Sequence, residues 1–342
     1  MDQGQAIEYL ARAEARRARP IRDADELAEL EARHGRPLSA IEVRDVAGAG
    51  HARLEAVGLD REPRHDNAPR LPALVDFLNR RVLPMMDAEA KAAGRGTWRV
   101  ELHDSYSYLP DRHRYEEALT FGRAPDALER RVALIPDPYH MSDFGGGGLI
   151  DAALADPVAW ERKEPKLFFA GTTTGDRDPA ANARVRACVW SVGRPDAKLW
   201  ITKVAQMPMD RLLRAHPSVA EAMHAPVPLQ EHFRYRYQVN IAGNTACWSR
   251  LPMLMATRSV VVHARDAYGA GDAMWYYPLV REGRHYVAAD SPEGADLLRA
   301  KDWCAANDRR CQAIAEEARA LAATLFRSGT AATYLAAFLA EH

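Results

Sequence analysis

The sequence predicts an α/β protein built on parallel sheets with crossover helices and divided into two domains. Three observations carry this. After about residue 95, short β-branched runs alternate with amphipathic stretches, the pattern of strands wound by helices. Several of those runs stop at Gly- or Thr-rich turns, where parallel sheets bind ligands beyond their carboxyl ends. A chain of 342 residues, 47% apolar and 27% charged, is long enough for two ordinary cores.

The elements follow in order. Residues 1 to about 60, rich in Ala, Glu and Arg, read as helical, and 69–93 reads as an amphipathic helix with Leu71, Leu74, Val75, Phe77 and Leu78 toward the core. Thr97–Leu102 alternates like a strand, with His103-Asp104-Ser105-Tyr106 leaving its end. Val132–Ile135 is a buried strand stopped by Pro136-Asp137-Pro138, and Gly145–Gly148 reads as a flexible loop. A helix is expected over Asp151–Arg162, then a strand over Lys166–Gly171, a helix from Arg184 to Val192 and a strand over Lys198–Val204. Tyr235–Ile241 is a strand ending at Gly243-Asn244. A helix over Trp248–Ala256 and strands at Ser259–His263 and His285–Ala288 follow. Two helices over 293–326 meet at Asn307-Asp308, and the last helix covers 330–341.

Composition narrows the partners. The formal net charge of -1 gives no global basic field for nucleic acid. No apolar run nears the roughly 20 residues that span a bilayer, and Met1-Asp2-Gln3-Gly4-Gln5 shows no secretory pattern. Cys188, Cys247, Cys304 and Cys311 lack metal-type spacing. Cys304 and Cys311 stand about 10 Å apart if one helix carries both, too far for a disulfide. The expected location is cytoplasmic, with peripheral contact at the inner face of a membrane left open.

Three segments carry candidate chemistry. In Phe169-Ala170-Gly171-Thr172-Thr173-Thr174-Gly175, small residues admit a ligand to the backbone, and hydroxyls with amide N–H groups suit phosphate oxygens. A plain turn is the competing reading. In Asn240–Arg250, a strand ends, Gly243 allows a tight turn beside Asn244, and Arg250 opens a helix, an arrangement that stabilises a diphosphate. In Leu102-His103-Asp104, a carboxylate at a strand's end suits a general base, against the reading of a turn cap. Two other motifs are discounted. Asp176-Arg177-Asp178 has the spacing of a metal-binding pair but precedes Pro179 in what reads as a solvated loop. Asp143-Phe144-Gly145 lacks the companion motifs of a kinase.

Ordered together, these pieces resemble glycosyltransferase family 90 over roughly residues 97–326. Trp160-Glu161-Arg162-Lys163 followed by Leu167–Thr174 is similar to the family's donor-loop block. Glu231–Tyr237 leading into Asn240, Gly243 and Arg250, then Ser259-Val260-Val261, is similar to its central block. Met274–Pro278 with His285-Tyr286-Val287, and Ala306-Asn307-Asp308 with Ile314-Ala315-Glu316, echo its closing segments.

The resemblance implies a GT-B fold: two Rossmann-like domains facing a central cleft, here with extra N-terminal helices. On that reading residues 1–160 form the acceptor domain, 161–326 the nucleotide-sugar domain, and 327–342 a helix packing back on the first. It implies an inverting, metal-independent transfer of glucose, xylose or galactose type from a UDP-sugar to a hydroxyl of a glycan or lipid-linked saccharide, as in bacterial lipopolysaccharide biosynthesis. Asp104 falls at the family's base position, with Asp137 the competitor. Gly171, Thr172, Thr173, Thr174, Tyr235, Gly243 and Arg250 fall on the donor side. His232 and Asn244 stand second to them. The family's Arg before the loop glycine is Ala170 here, with Arg184 or Arg186 as candidates to replace its charge. That departure favours the alternative, a nucleotide-sugar binding protein without transfer activity.

Overall fold

A computed structural model of the chain describes residues 2–34, 38–46, 54–60, 69–102, 117–123, 131–146, 148–246, 248–265 and 273–342. Two compact units emerge. The first comprises Met1–Phe144, Asp272–Trp275 and Phe326–His342, the second Gly145–Gly271 and Tyr276–Leu325. In chain order the helices are α1 (Gln3–Ala15), α2 (Ala24–His34), α3 (Arg70–Phe77), α4 (Ala88–Ala93), α5 (Pro138–Met141), α6 (Asp143–Gly146) and α7 (Gly148–Leu154). They continue with α8 (Ala183–Trp190), α9 (Met209–Ala215), α10 (Leu229–Phe233), α11 (Arg250–Met255), α12 (Gly294–Ala306), α13 (Asp308–Leu325) and α14 (Ser328–Leu339). The strands are β1 (Ser39–Asp45), β2 (Leu54–Asp60), β3 (Gly96–Glu101), β4 (Glu117–Thr120), β5 (Arg131–Leu134), β6 (Glu164–Thr172), β7 (Ala197–Lys203), β8 (Tyr235–Asn240), β9 (Val260–Ala264) and β10 (Val287–Ala289).

The first unit is a mixed sheet in the order β2-β1-β3-β4-β5. β1 pairs antiparallel with β2 and β3, whereas β3, β4 and β5 run parallel. Residues 39–45 and 54–60 are therefore strands, not the helix expected there. Ile41 and Val43 are buried while Glu42 and Arg44 turn outward, a period of two that a helix-favouring composition concealed. The helix expected over 69–93 is broken as well. Leu78–Val82 widens into a π-turn and Leu83–Met85 tightens into a 3₁₀ turn. Pro84 supplies no N–H to continue the ladder, and Asp87 starts α4 afresh by accepting the Ala90 N–H at 2.8 Å.

Glu14 fastens this unit together. Its carboxylate accepts from Arg123 Nη1 and Nη2 at 2.5 and 2.8 Å and from the Leu134 N–H at 3.1 Å. Arg123 is 3% exposed and also donates to the Val132 carbonyl. One carboxylate thus joins α1 to β5 and to the turn after β4. α14 packs on α1, and its Tyr334 hydroxyl donates to the Leu134 carbonyl at 2.9 Å. Asp143 holds the start of α14 by accepting from the Ser328 N–H and hydroxyl.

The second unit is all parallel, in the order β10-β9-β8-β6-β7. β6 and β9 carry runs of consecutive buried apolar residues, whereas β7 and β8 alternate apolar with polar positions. Leu167, Phe169, Leu199, Val239 and Val262 meet α8, α12 and α13 on one side, while Phe168, Ala170 and Tyr235 form a smaller cluster on the other. The Gly145–Gly148 segment is not the loop expected. α6 extends through Gly146 and α7 begins at Gly148. α7 stops at Leu154, short of the helix expected to Arg162, and after Pro157 a separate 3₁₀ turn covers Trp160–Arg162. α12 ends at Ala306 and α13 begins at Asp308, so Cys304 and Cys311 stand on two helices rather than one; both are buried and free. Among the described residues, no helix is long and apolar enough to cross a membrane.

Removing Glu14 leaves the Arg123 guanidinium buried without its carboxylate. Glu14→Ala is expected to destabilise the fold by about 3–5 kcal/mol, measured by urea unfolding. A loss under about 1 kcal/mol would deny Glu14 this role.

Candidate functional site

The strand order of the second unit fixes where a ligand would sit. The chain leaves β6 for β7 on one side and crosses back to β8 on the other, so β6 and β8 are neighbours with opposed exits. A crevice opens beyond the carboxyl ends of strands at such a switch point. The Gly171–Gly175 segment leaves β6 there and the Gly243–Asn244 turn leaves β8 there.

Two arginines close on those turns. Arg184, in the first turn of α8, is 5% exposed. Its guanidinium donates to the carbonyls of Ile241, Ala242 and Thr172, and to the Thr174 hydroxyl at 2.6 Å. Arg250, at the start of α11, donates to the Ala170 carbonyl at 2.9 Å and lies over the Phe169 ring. Both loop glycines are required by this approach. A side chain at Gly171 would run into Arg250 and the Phe169 ring, and one at Gly243 would meet the Thr174 hydroxyl at 2.7 Å and Arg184 at 2.9 Å.

The threonines divide. Thr172 and Thr174 hydroxyls lie 3.1 Å apart, both partly exposed. Thr173 is fully buried and exchanges hydrogen bonds with the Ala205 backbone, so it braces the turn from behind. Asn244 joins the two loops by accepting the Gly175 N–H at 3.0 Å. Asn182 was not foreseen. Fully buried, it caps α8 through the Val185 N–H and donates to the Thr173 and Asp176 carbonyls. An Asn followed by a helical run was the available signal.

The remaining candidates lie elsewhere. Tyr235 starts β8, so it stands at the opposite end of the sheet from these loops. It stacks on Phe168 and donates to Glu231 at 2.8 Å. His232 lies beside it, bonded to Gln238 at 2.9 Å. His232 also lies near enough to Arg250 for that charge to act on its ring. Arg186 faces outward from α8 and pairs with Glu293, away from the loops that Arg184 joins. Asp137 is fully buried in the first unit. One carboxylate oxygen caps α5 through the Tyr139 and His140 N–H groups, and the other lies 2.6 Å from His140 Nδ1. Both oxygens of this carboxylate are thus engaged within its own helix start. Asp104 lies outside the described residues. Asp176 and Asp178 each accept a backbone N–H within the turn they form.

The chain matches the description Glycosyl transferase family 90 over residues 152–342, more than half its length and containing all of this site. It belongs to that family. It is 28% identical over 259 residues to uncharacterized protein 035R of Invertebrate iridescent virus 3, an alignment covering 71% of this chain and 22% of that protein. It is 32% identical over 160 residues to the O-glucosyltransferase rumi homolog of Anopheles gambiae, covering 46% of this chain and 36% of that one. An Anabaena protein, Alr3699/HepE crystallised with UDP, superposes over 79% of this chain and 75% of its own at a TM-score of 0.40 and 14% identity, too remote to bear on function.

Family 90 membership leaves the local electrostatics to this chain's own residues. Burial, aided by the charge of Arg250, lowers the His232 pKa to about 4, against the Gln238 hydrogen bond. Burial also lowers His263 on β9 to about 4. Both rings stay neutral in the folded protein between pH 4 and 6.5, whereas the unfolded chain protonates them. Stability is therefore full above about pH 6.5 and falls as pH drops toward 4. The urea midpoint is expected to be lower at pH 4.5 than at pH 7, with a smaller drop in His232→Gln. An equal drop in that variant would show that His232 does not contribute.

Proposed function

We propose that the protein is an inverting glycosyltransferase that binds a UDP-sugar at the loops leaving β6 and β8 and needs no divalent metal. The observation that carries this is the approach of Arg250 and Arg184 to Gly171 and Gly243 at the sheet's switch point. Cation and backbone come together where an anionic ligand would lie.

Negative charge grows on the leaving diphosphate as the sugar–phosphate bond breaks. Donors fixed beforehand stabilise that charge without reorganising. Arg250, with the Thr172 and Thr174 hydroxyls, supplies them, and Arg184 holds the two loops in place. The acceptor in this reading is a hydroxyl of a glycan or lipid-linked saccharide, and Asp104 takes its proton. The name O-glucosyltransferase among the relatives supports a glucose-type donor.

Arg250→Ala is expected to raise the dissociation constant for UDP about tenfold or more, a loss of about 1.4 kcal/mol or greater, by titration calorimetry. An unchanged constant would remove Arg250 from the site. Asp104→Asn is expected to abolish transfer from UDP-glucose to a saccharide acceptor while leaving UDP binding intact. Transfer should persist in excess EDTA, and wild-type turnover by Asp104→Asn would exclude that residue as the base.

A further inference from the structure

Two buried polar atoms beside these loops have no hydrogen-bond partner among the described residues. They are Asn240 Oδ1, at the last position of β8, and Thr245 Oγ1, five residues on in the turn that follows. Asn240 is 1% exposed and Thr245 7%. The other arm of the Asn240 amide is engaged, with Nδ2 lying 2.8 Å from His263 Nδ1 on β9. Their neighbours contrast with them. Asn182 and Asn244 spend their side chains on backbone groups of the loop after β6, and Thr173 on the Ala205 backbone after β7. Leaving a buried acceptor or hydroxyl unpaired costs about 1–3 kcal/mol. Two such atoms at the ligand-binding end of a parallel sheet are groups waiting for a partner.

The neighbouring strand sets only a small side chain beside Asn240. β6 and β8 pair Leu167 with Tyr237 and Phe168 with Gln238, and the same register carried upward sets Ala170 next to Asn240 on one face. Ala170 contributes only a methyl group there.

We propose that Asn240 and Thr245 are specificity-determining residues of the donor site. They read a neutral edge of the nucleotide sugar, either a sugar hydroxyl or the imide N–H of a pyrimidine base, while Arg250 serves the diphosphate. This rests on the donor-site reading above. An amide oxygen and an alcohol carry no charge, and His263 beside them is held neutral by burial. Phosphate oxygens call for cations or N–H donors, whereas an amide oxygen requires a donor from the ligand. Hydroxyl and imide groups both supply one.

Calorimetric titration of the full chain with UDP-glucose and with UDP tests this, using Thr245→Val and Asn240→Leu beside the wild type. Thr245→Val keeps the side-chain shape and removes only the unpaired hydroxyl. It is expected to weaken UDP-glucose binding about five- to tenfold while leaving the ligand-free melting temperature unchanged or higher. A loss confined to UDP-glucose assigns the atoms to the glycosyl hydroxyls. An equal loss with UDP assigns them to the nucleoside. Wild type that binds while both variants bind equally well overturns this inference alone. A lower melting temperature with unchanged affinity overturns it too, since that is what a structural role would produce. Wild type that binds neither ligand overturns the donor-site reading itself.

Discussion

The Arg184 guanidinium holds the ends of β6 and β8 in register, and the candidate site takes its shape from that bond set. Strand ends in a parallel sheet leave carbonyls without ladder partners, and Ile241, Ala242 and Thr172 are three of them. One planar cation serves all three and the Thr174 hydroxyl as well. Arginine suits this role because its donors spread in a rigid fork. Its own position depends on Asn182, which starts α8 and so sets the turn from which Arg184 projects. Gly243 completes the set, because only a residue without a side chain lets the guanidinium come so near the backbone. A buried side chain of lower charge would leave several acceptors unsatisfied at once, so neither the loops nor the helix start is independent of it.

The same arrangement bears on the residue before Gly171. The family resemblance leads one to expect an arginine where this chain has Ala170. In this chain two guanidinium groups reach the loops from the first turns of α8 and α11. Arg250 donates to the Ala170 carbonyl itself, so a guanidinium stands against that backbone although none projects from it. Helix starts are apt sources, because their unpaired N–H groups add positive potential of the same sign.

Much of the second unit was legible in the sequence. β6 and β9 contain consecutive apolar residues, the mark of strands buried on both faces, while β7 and β8 alternate with a strand's period of two; turn residues follow β6 and β8. The loops at their ends were legible for the same reason. What escaped was local competition. Ile41-Glu42-Val43-Arg44 alternates over too few residues to outweigh its helix-favouring surroundings. The helix expected over 69–93 breaks at Pro84, a residue whose effect was readable but was outweighed by the apolar period around it. Tyr235 belongs to the family pattern, yet parallel strand direction sets it at the start of β8, away from the loops, and direction is a property of pairing rather than of sequence. Asp137 follows the same logic: its fate as a cap is set by Pro138 at the first position of α5, a common helix start.

The loops beyond β6 and β8 therefore hold two kinds of polar group, distinguished by how they are satisfied. Arg184, Thr173, Asn182 and Asn244 are spent on backbone, so the cavity wall is fixed before any ligand arrives. Asn240 and Thr245 keep one polar atom each without a partner among the described residues. A wall already satisfied adds little affinity but lowers the ordering cost of binding. Atoms left unsatisfied add affinity only for a ligand that completes them, and penalise one that does not. On the proposed reading, rigid support and selective contact fall to different residues at one end of a single sheet.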